Sequence, residues 1–116
     1  MFALRGDLGA GKTTFVQGFL KGLGFKKRAQ SPTFVIMRRH ALPRGSAFKQ
    51  VFHIDAYRLK GARHLRTLGF TDVVADPRNV ILVEWPERAG TLLPRRAHRI
   101  YFRHGEQENK RTIVVK

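Results

Sequence analysis

An α/β fold of three layers on a mixed, partly antiparallel sheet is what this sequence predicts, and three observations predict it. A short apolar run, Met1 to Leu4, leads into Gly6-Asp7-Leu8-Gly9-Ala10-Gly11-Lys12-Thr13, and from there into Phe15, Val16, Phe19, Leu20 and Leu23, an apolar face at helical spacing. Val80-Ile81-Leu82-Val83 is an unbroken aliphatic run of the kind a strand covered on both faces requires. Turn-forming residues, Pro43-Arg44-Gly45-Ser46 and Gly105 to Asn109, separate two pairs of strand-like runs, which adds antiparallel pairing. Strand, glycine-rich loop and helix in that order is the P-loop arrangement, so the expected fold is P-loop NTPase-like.

The loop residues suit phosphate chemistry. A phosphate chain is wrapped only where several backbone N–H groups point inward together, which needs positive φ and no Cβ in the way; glycine supplies both. Gly6, Asp7, Leu8, Gly9, Ala10, Gly11, Lys12, Thr13 and Thr14 are therefore the candidate nucleotide-binding residues. Lys12 is placed to reach the β- and γ-phosphates, and the Thr13 hydroxyl to meet Mg²⁺. The first turn of the following helix adds its dipole. The expected cofactors are ATP and Mg²⁺.

Taken in order, the first helix is predicted from about Thr13 to Leu23, with Gly24 as its stop. Lys26-Lys27-Arg28 forms a basic turn. In Ser31-Pro32-Thr33-Phe34 the proline keeps the chain extended. That rigidity would present Thr33 to a γ-phosphate, as a switch segment does; the same residues suit an ordinary strand-initiating turn, which the residues alone favour. Strands over Phe34–Leu42 and Ala47–Tyr57 make a hairpin, and the second carries Asp55, a candidate metal-side carboxylate. Lys60 to Leu68 is predicted helical, ended by Gly69, with a second short helix over Phe70–Ala75 and a loop over Asp76–Asn79. Val80 to Glu84 is the central strand. Glu84 stands at its carboxyl end, where open α/β sheets bind ligands, in the Walker B pattern. Asp55 and Glu84 both end apolar strands, so the pattern allows either as the metal ligand. Glu84 is preferred with Thr13, because its strand is the more continuously apolar and belongs beside the P-loop strand. Trp85-Pro86-Glu87 turns the chain, and Ala97–His104 and Arg111–Val115 are the last strands. The first strand has almost nothing before it, so it must pair with later segments if the chain starts here.

Composition narrows the class. A chain of 116 residues corresponds to one domain, 1–116. No apolar run approaches the roughly 18 residues of a membrane span, no signal peptide is visible, and there is no cysteine for a disulfide or thiolate site, so a cytoplasmic location is expected. The formal charge is +15, from 23 Lys and Arg against 8 Asp and Glu. Such a balance suits a nucleic acid or another polyanion, or an acidic partner protein. The cations recur in small groups: Lys26-Lys27-Arg28, Arg38-Arg39, Arg95-Arg96 and Lys110-Arg111. None of His40, His53, His64, His98 and His104 is paired at helical spacing, which argues against zinc. No Gly-x-Ser-x-Gly elbow is present. Tyr101-Phe102-Arg103 would stack on a base, but a strand with one face in the core explains it equally well and is favoured.

Four strings, GDLGAGKTT, SPTF, HIDAYRL and VEWPE, together resemble the bacterial TsaE family, formerly YjeE, the P-loop ATPase required to make threonylcarbamoyladenosine in tRNA. The resemblance runs from Leu4 to about Leu93, and more loosely to the end. It implies that Glu84 is the Mg²⁺-side carboxylate, that Asp55 is needed for activity, that Thr33 lies in a switch-like loop and that Trp85 lies beside the nucleotide. It implies two partner proteins, TsaB and TsaD, with TsaD transferring the threonylcarbamoyl group to adenosine 37 of tRNA and ATP turnover resetting the complex. Family members usually carry a helical segment before the P-loop strand that helps hold the adenine. This chain begins almost at the strand, so weak base discrimination is expected. Where the family is usually acidic after HIDAYRL, this chain has Lys60-Gly61-Ala62-Arg63-His64. Two other readings compete: a small P-loop kinase, with Lys60 to Arg78 as a short arginine-rich lid, and a basic RNA-binding module with a degenerate nucleotide site.

Overall fold

The computed structural model describes residues 1–25 and 36–116. The elements are β1 (Phe2–Gly6), α1 (Lys12–Gly22), β2 (Met37–Ala41), β3 (Gln50–Asp55), α2 (Ala62–Thr67), α3 (Phe70–Ala75), β4 (Asn79–Glu84), β5 (His98–His104) and β6 (Arg111–Val115), with short 3₁₀ turns at Ala56–Arg58, Pro86–Arg88 and Gly90–Leu92. One six-stranded sheet runs in the order β2-β3-β4-β1-β5-β6. β1 pairs in parallel with β4 and with β5, so its neighbours are both later in the chain, and β3 pairs in parallel with β4. β2 and β6 run antiparallel to β3 and β5 at the two edges.

Alternation along the strands builds the layers. On β4, Val80 and Leu82 face one side, where they meet Leu4, Val51, Ile100, Phe102 and, from α1, Val16 and Leu20. Ile81 and Val83 face the other, against Phe52, Ile54 and, from α2 and α3, Leu65 and Phe70. β4 is thus covered on both faces, as its unbroken aliphatic run requires. Burying the full Leu65 or Phe70 side chain contributes about 1.5–3 kcal/mol.

Boundaries moved more than elements did. α3 and β6 lie where the sequence places them. β3 is shorter than Ala47–Tyr57, because Asp55 caps a 3₁₀ turn: its Oδ1 accepts from the Tyr57 N–H at 3.0 Å. α2 starts at Ala62, after Gly61 at φ 151°, and not at Lys60. α1 begins one residue early, at Lys12, and Gly24 takes the left-handed conformation just past its end, at φ 92°. Lys26-Lys27-Arg28 and Thr33 lie outside the described residues.

His40 on β2 is buried, its Nε2 has no hydrogen-bond partner, and its ring meets Phe25 edge-on at 5.0 Å. Burial first, then the nearby His53 and Arg38, hold its pKa below the ordinary histidine value of 6.5. Below that pH the unfolded chain binds a proton that the folded chain refuses, so stability falls with falling pH until the folded pKa is passed. The melting temperature should therefore drop between neutrality and about pH 5, and the drop should be shallower in His40→Leu. Identical pH profiles for the two proteins would contradict this.

Candidate functional site

The carboxyl ends of the parallel strands β1, β3 and β4 lie together, and the functional side chains sit there. β1 ends at Gly6 and turns into the loop. A Cβ on Gly6 would stand 2.7 Å from the Phe102 carbonyl oxygen on β5, so only glycine lets the two backbones approach this closely. Gly9 and Gly11 take positive φ, 76° and 104°, and fold the loop back onto the start of α1. No side chain caps that helix start and no acid stands in its first turn, so its free N–H groups are left for an anion.

The last two strands hold the loop from outside. Arg111 Nη2 donates to the Gly9 carbonyl at 3.3 Å, and His104 Nε2 lies 3.3 Å from the Leu8 carbonyl. Sequence reasoning gave neither residue a place at the loop, because nothing in a linear pattern shows that residues about a hundred positions away meet it.

Leu8, Gly9, Gly11, Lys12, Thr13, Thr14, Asp55, Glu84 and Trp85 wall one cleft of about 380 Å³. Of the sequence-marked residues, Gly6, Asp7 and Ala10 are not in its wall. Gly6 is the strand end, Asp7 takes the hydrogen bond of the loop turn from the Ala10 N–H, and the Ala10 methyl is in the core under α1. A second cleft of about 390 Å³ opens on the other side of the loop, walled by Phe15, Phe102 and Ile113 among others.

Lys12 is buried and turned back on its own loop. Its Nζ donates to the Gly6 carbonyl at 2.5 Å and lies 3.8 Å from the centre of the Trp85 ring. Burial lowers its pKa below the ordinary lysine value; the carboxylates of Glu84, Glu87, Asp55 and Asp7 oppose this. Trp85 takes the left-handed conformation, φ 56° and ψ 53°, alone among the non-glycine residues described. For a bulky residue that conformation costs about 1–2 kcal/mol. It turns the indole out of the β4 line and over Lys12, with Tyr57 against it at 5.1 Å.

Asp55 and Glu84 are register partners on adjacent parallel strands. Glu84 is buried, and its Oε2 lies 2.5 Å from His53 Nε2. His53 comes from the HIDAYRL string, but sequence reading missed its role. The signal was its position two residues before Asp55, which puts both side chains on one face of β3. A threonine hydroxyl and two carboxylates in one cleft are the hard oxygen donors that Mg²⁺ takes, with phosphate oxygens and water completing its shell. The residues present therefore fit that ion.

Comparison with known proteins gives this arrangement its family. The model of the TsaE family, described as threonylcarbamoyl adenosine biosynthesis protein TsaE, matches residues 1–113. The chain belongs to the TsaE family. Among curated TsaE proteins it is 35% identical over 116 residues to that of Bacillus subtilis, covering 99% of this chain and 69% of the relative. It is 36% identical over 94 residues to that of Haemophilus influenzae, covering 81% and 56%, and 44% identical over 85 residues to that of Streptomyces coelicolor, covering 72% and 55%. All three are named tRNA threonylcarbamoyladenosine biosynthesis protein TsaE. The crystal structure of YdiB from Bacillus subtilis superposes with a TM-score of 0.69 at 30% identity, over 97% of this chain and 64% of that one. The chain thus spans roughly half to two thirds of the length of these relatives. The expected P-loop NTPase-like fold is the fold of this TsaE chain. Among the described residues no helix is long and apolar enough to cross a membrane.

Proposed function

We propose that this TsaE chain binds and hydrolyses Mg·ATP, and that its turnover resets a TsaB–TsaD complex which places threonylcarbamoyl on adenosine 37 of tRNA, in the cytoplasm. The observation that carries the reading is the convergence of Lys12, Thr13, Asp55, Glu84 and Trp85 on one cleft at the carboxyl ends of three parallel strands. In this reading the loop N–H groups and the start of α1 hold the phosphates, and Lys12 leaves the Gly6 carbonyl to meet the β- and γ-oxygens. Thr13 and Glu84 would hold the metal. Magnesium there would supply charge neutralisation across the β- and γ-phosphates. Asp55 acts one position out, orienting water or the segment carrying Thr33. Trp85 lies beside the nucleotide, and the neighbouring cleft walled by Phe15, Phe102 and Ile113 offers the base an apolar seat.

Two features count against the alternatives. The segment from Lys60 to Arg78 carries Leu65 and Phe70 in the core, so α2 and α3 are fixed layers of the fold and not the free lid a kinase needs. A degenerate nucleotide site would not keep Lys12, Thr13 and Glu84 in one wall. The test is reconstitution with TsaB and TsaD of the same organism and tRNA. ATP hydrolysis by this chain should be required for more than one round of modification. Repeated rounds without the chain, or with ATP left unhydrolysed, would overturn the proposal.

A further inference from the structure

The two faces of the β5–β6 hairpin differ in a way the nucleotide site does not use. Ile100 and Phe102 point into the core under α1. Arg99, Tyr101 and Arg103 alternate with them and point to the opposite face. Register sets Thr112 beside Arg103, Val114 beside Tyr101 and, from β1, Arg5 on the other side of Tyr101. Lys116 bonds backbone to backbone with Arg99, and its Nζ lies 5.3 Å from the centre of the Tyr101 ring. The helices on this side of the sheet, α2 and α3, pack over β3 and β4. Tyr101 is half-buried, and Arg103 and Lys116 are exposed.

The charge on this face is unbalanced. Among the described residues Arg99, Arg103 and Lys116 are in no salt bridge, and Arg5 has only Glu87 at 3.9 Å, an exposed and weak pairing. Strands about 4.8 Å apart and like-facing residues about 7 Å apart along each strand make this a grid of cations around one aromatic ring. An open sheet face with a stacking ring among cations is how single-stranded RNA is gripped without sequence choice. An acidic protein surface would answer the charge but would leave the ring face without a role.

We propose that the Arg99, Tyr101 and Arg103 face of β5, with Lys116, is a seat for single-stranded RNA: phosphates meet the cations and a base stacks on Tyr101 in place of the Lys116 ammonium. The seat is on the sheet face opposite α1, and RNA binding is read without nucleotide, so failure of this proposal leaves the ATP reading untouched, and the reverse. The experiment measures binding of a fluorescein-labelled oligouridylate to the whole chain across a salt series, with thermal unfolding as a check that each variant is folded. Log affinity should fall linearly with log salt, and Arg99→Gln with Arg103→Gln should flatten that slope by about 1.4, two lost single-strand phosphate contacts. Tyr101→Ala should weaken binding by about five- to hundredfold, whereas Tyr101→Phe, which keeps the ring, should bind as the parent does. An unchanged slope in the double variant would overturn the seat, since these arginines would then meet no phosphate. Parent-like binding by Tyr101→Ala would also overturn it, by removing the stacked base.

Discussion

Replacing Lys12 by alanine is expected to lower ATP hydrolysis at least about a hundredfold, the scale of losing one preorganised charge at a reacting oxygen. Lys12 is the lysine of the loop, and its Nζ lies on the Gly6 carbonyl and over the Trp85 ring. Two effects are mixed in the alanine variant. One is the lost charge. The other is the lost stem, which is buried beside the half-buried Trp85. Lys12→Met separates them, since it keeps an unbranched chain of similar reach without the ammonium. Both variants should fail to hydrolyse ATP, and Lys12→Met should melt close to the parent. Trp85 emission supplies a second readout: ATP drawing the ammonium off the ring should change it in the parent and change it far less in Lys12→Met. A folded Lys12→Met protein that hydrolyses ATP at the parent rate would end the role assigned to this residue.

Magnesium dependence should separate the two carboxylates. Glu84 is buried against His53, and the other ring nitrogen of His53, Nδ1, is itself buried without a partner. Glu84→Ala would therefore leave a buried imidazole with no hydrogen bond, at a cost of about 1–3 kcal/mol, and would confuse unfolding with metal loss. Glu84→Gln keeps an oxygen for His53 and removes the charge. In that variant the Mg²⁺ concentration giving half of the Trp85 response to ATP should rise at least about tenfold. Asp55→Asn keeps the oxygen that accepts from the Tyr57 N–H, so the local turn should persist. Its response should stay magnesium-dependent at the parent concentration, while hydrolysis falls by about a hundredfold or more. His53→Leu should shift the magnesium requirement in the direction of Glu84→Gln, because the carboxylate loses the group that orients it. If Asp55→Asn loses the magnesium dependence and Glu84→Gln keeps it, the metal carboxylate is Asp55.

Much of the site was legible because its residues are local to the motifs that carry them. The Gly-x4-Gly-Lys-Thr spacing is a backbone requirement, met within a few residues of one loop, and it places Lys12 and Thr13 wherever the rest of the chain goes. The aliphatic run before Glu84 forced its strand to the middle of the sheet, which brought that carboxylate beside β1. His53 was not legible as a partner of Glu84, since a lone histidine on an apolar strand reads equally well as a satisfied core residue. Only the parallel pairing of β3 with β4 brings the two together.

The amino-acid sequence by itself determined the loop, the order of strands and helices and the two candidate carboxylates, because glycine conformation and apolar periodicity act over a few neighbouring residues. Tertiary structure alone decided which residues serve them. It placed His53 on Glu84, Trp85 over Lys12, and Arg111 and His104 on the loop carbonyls. It also decided which ring of the strand, Phe102, went into the core and which, Tyr101, stands among cations. The physical reason is that these contacts depend on strand register, which is set by the burial of the whole sheet and not by any short stretch of chain.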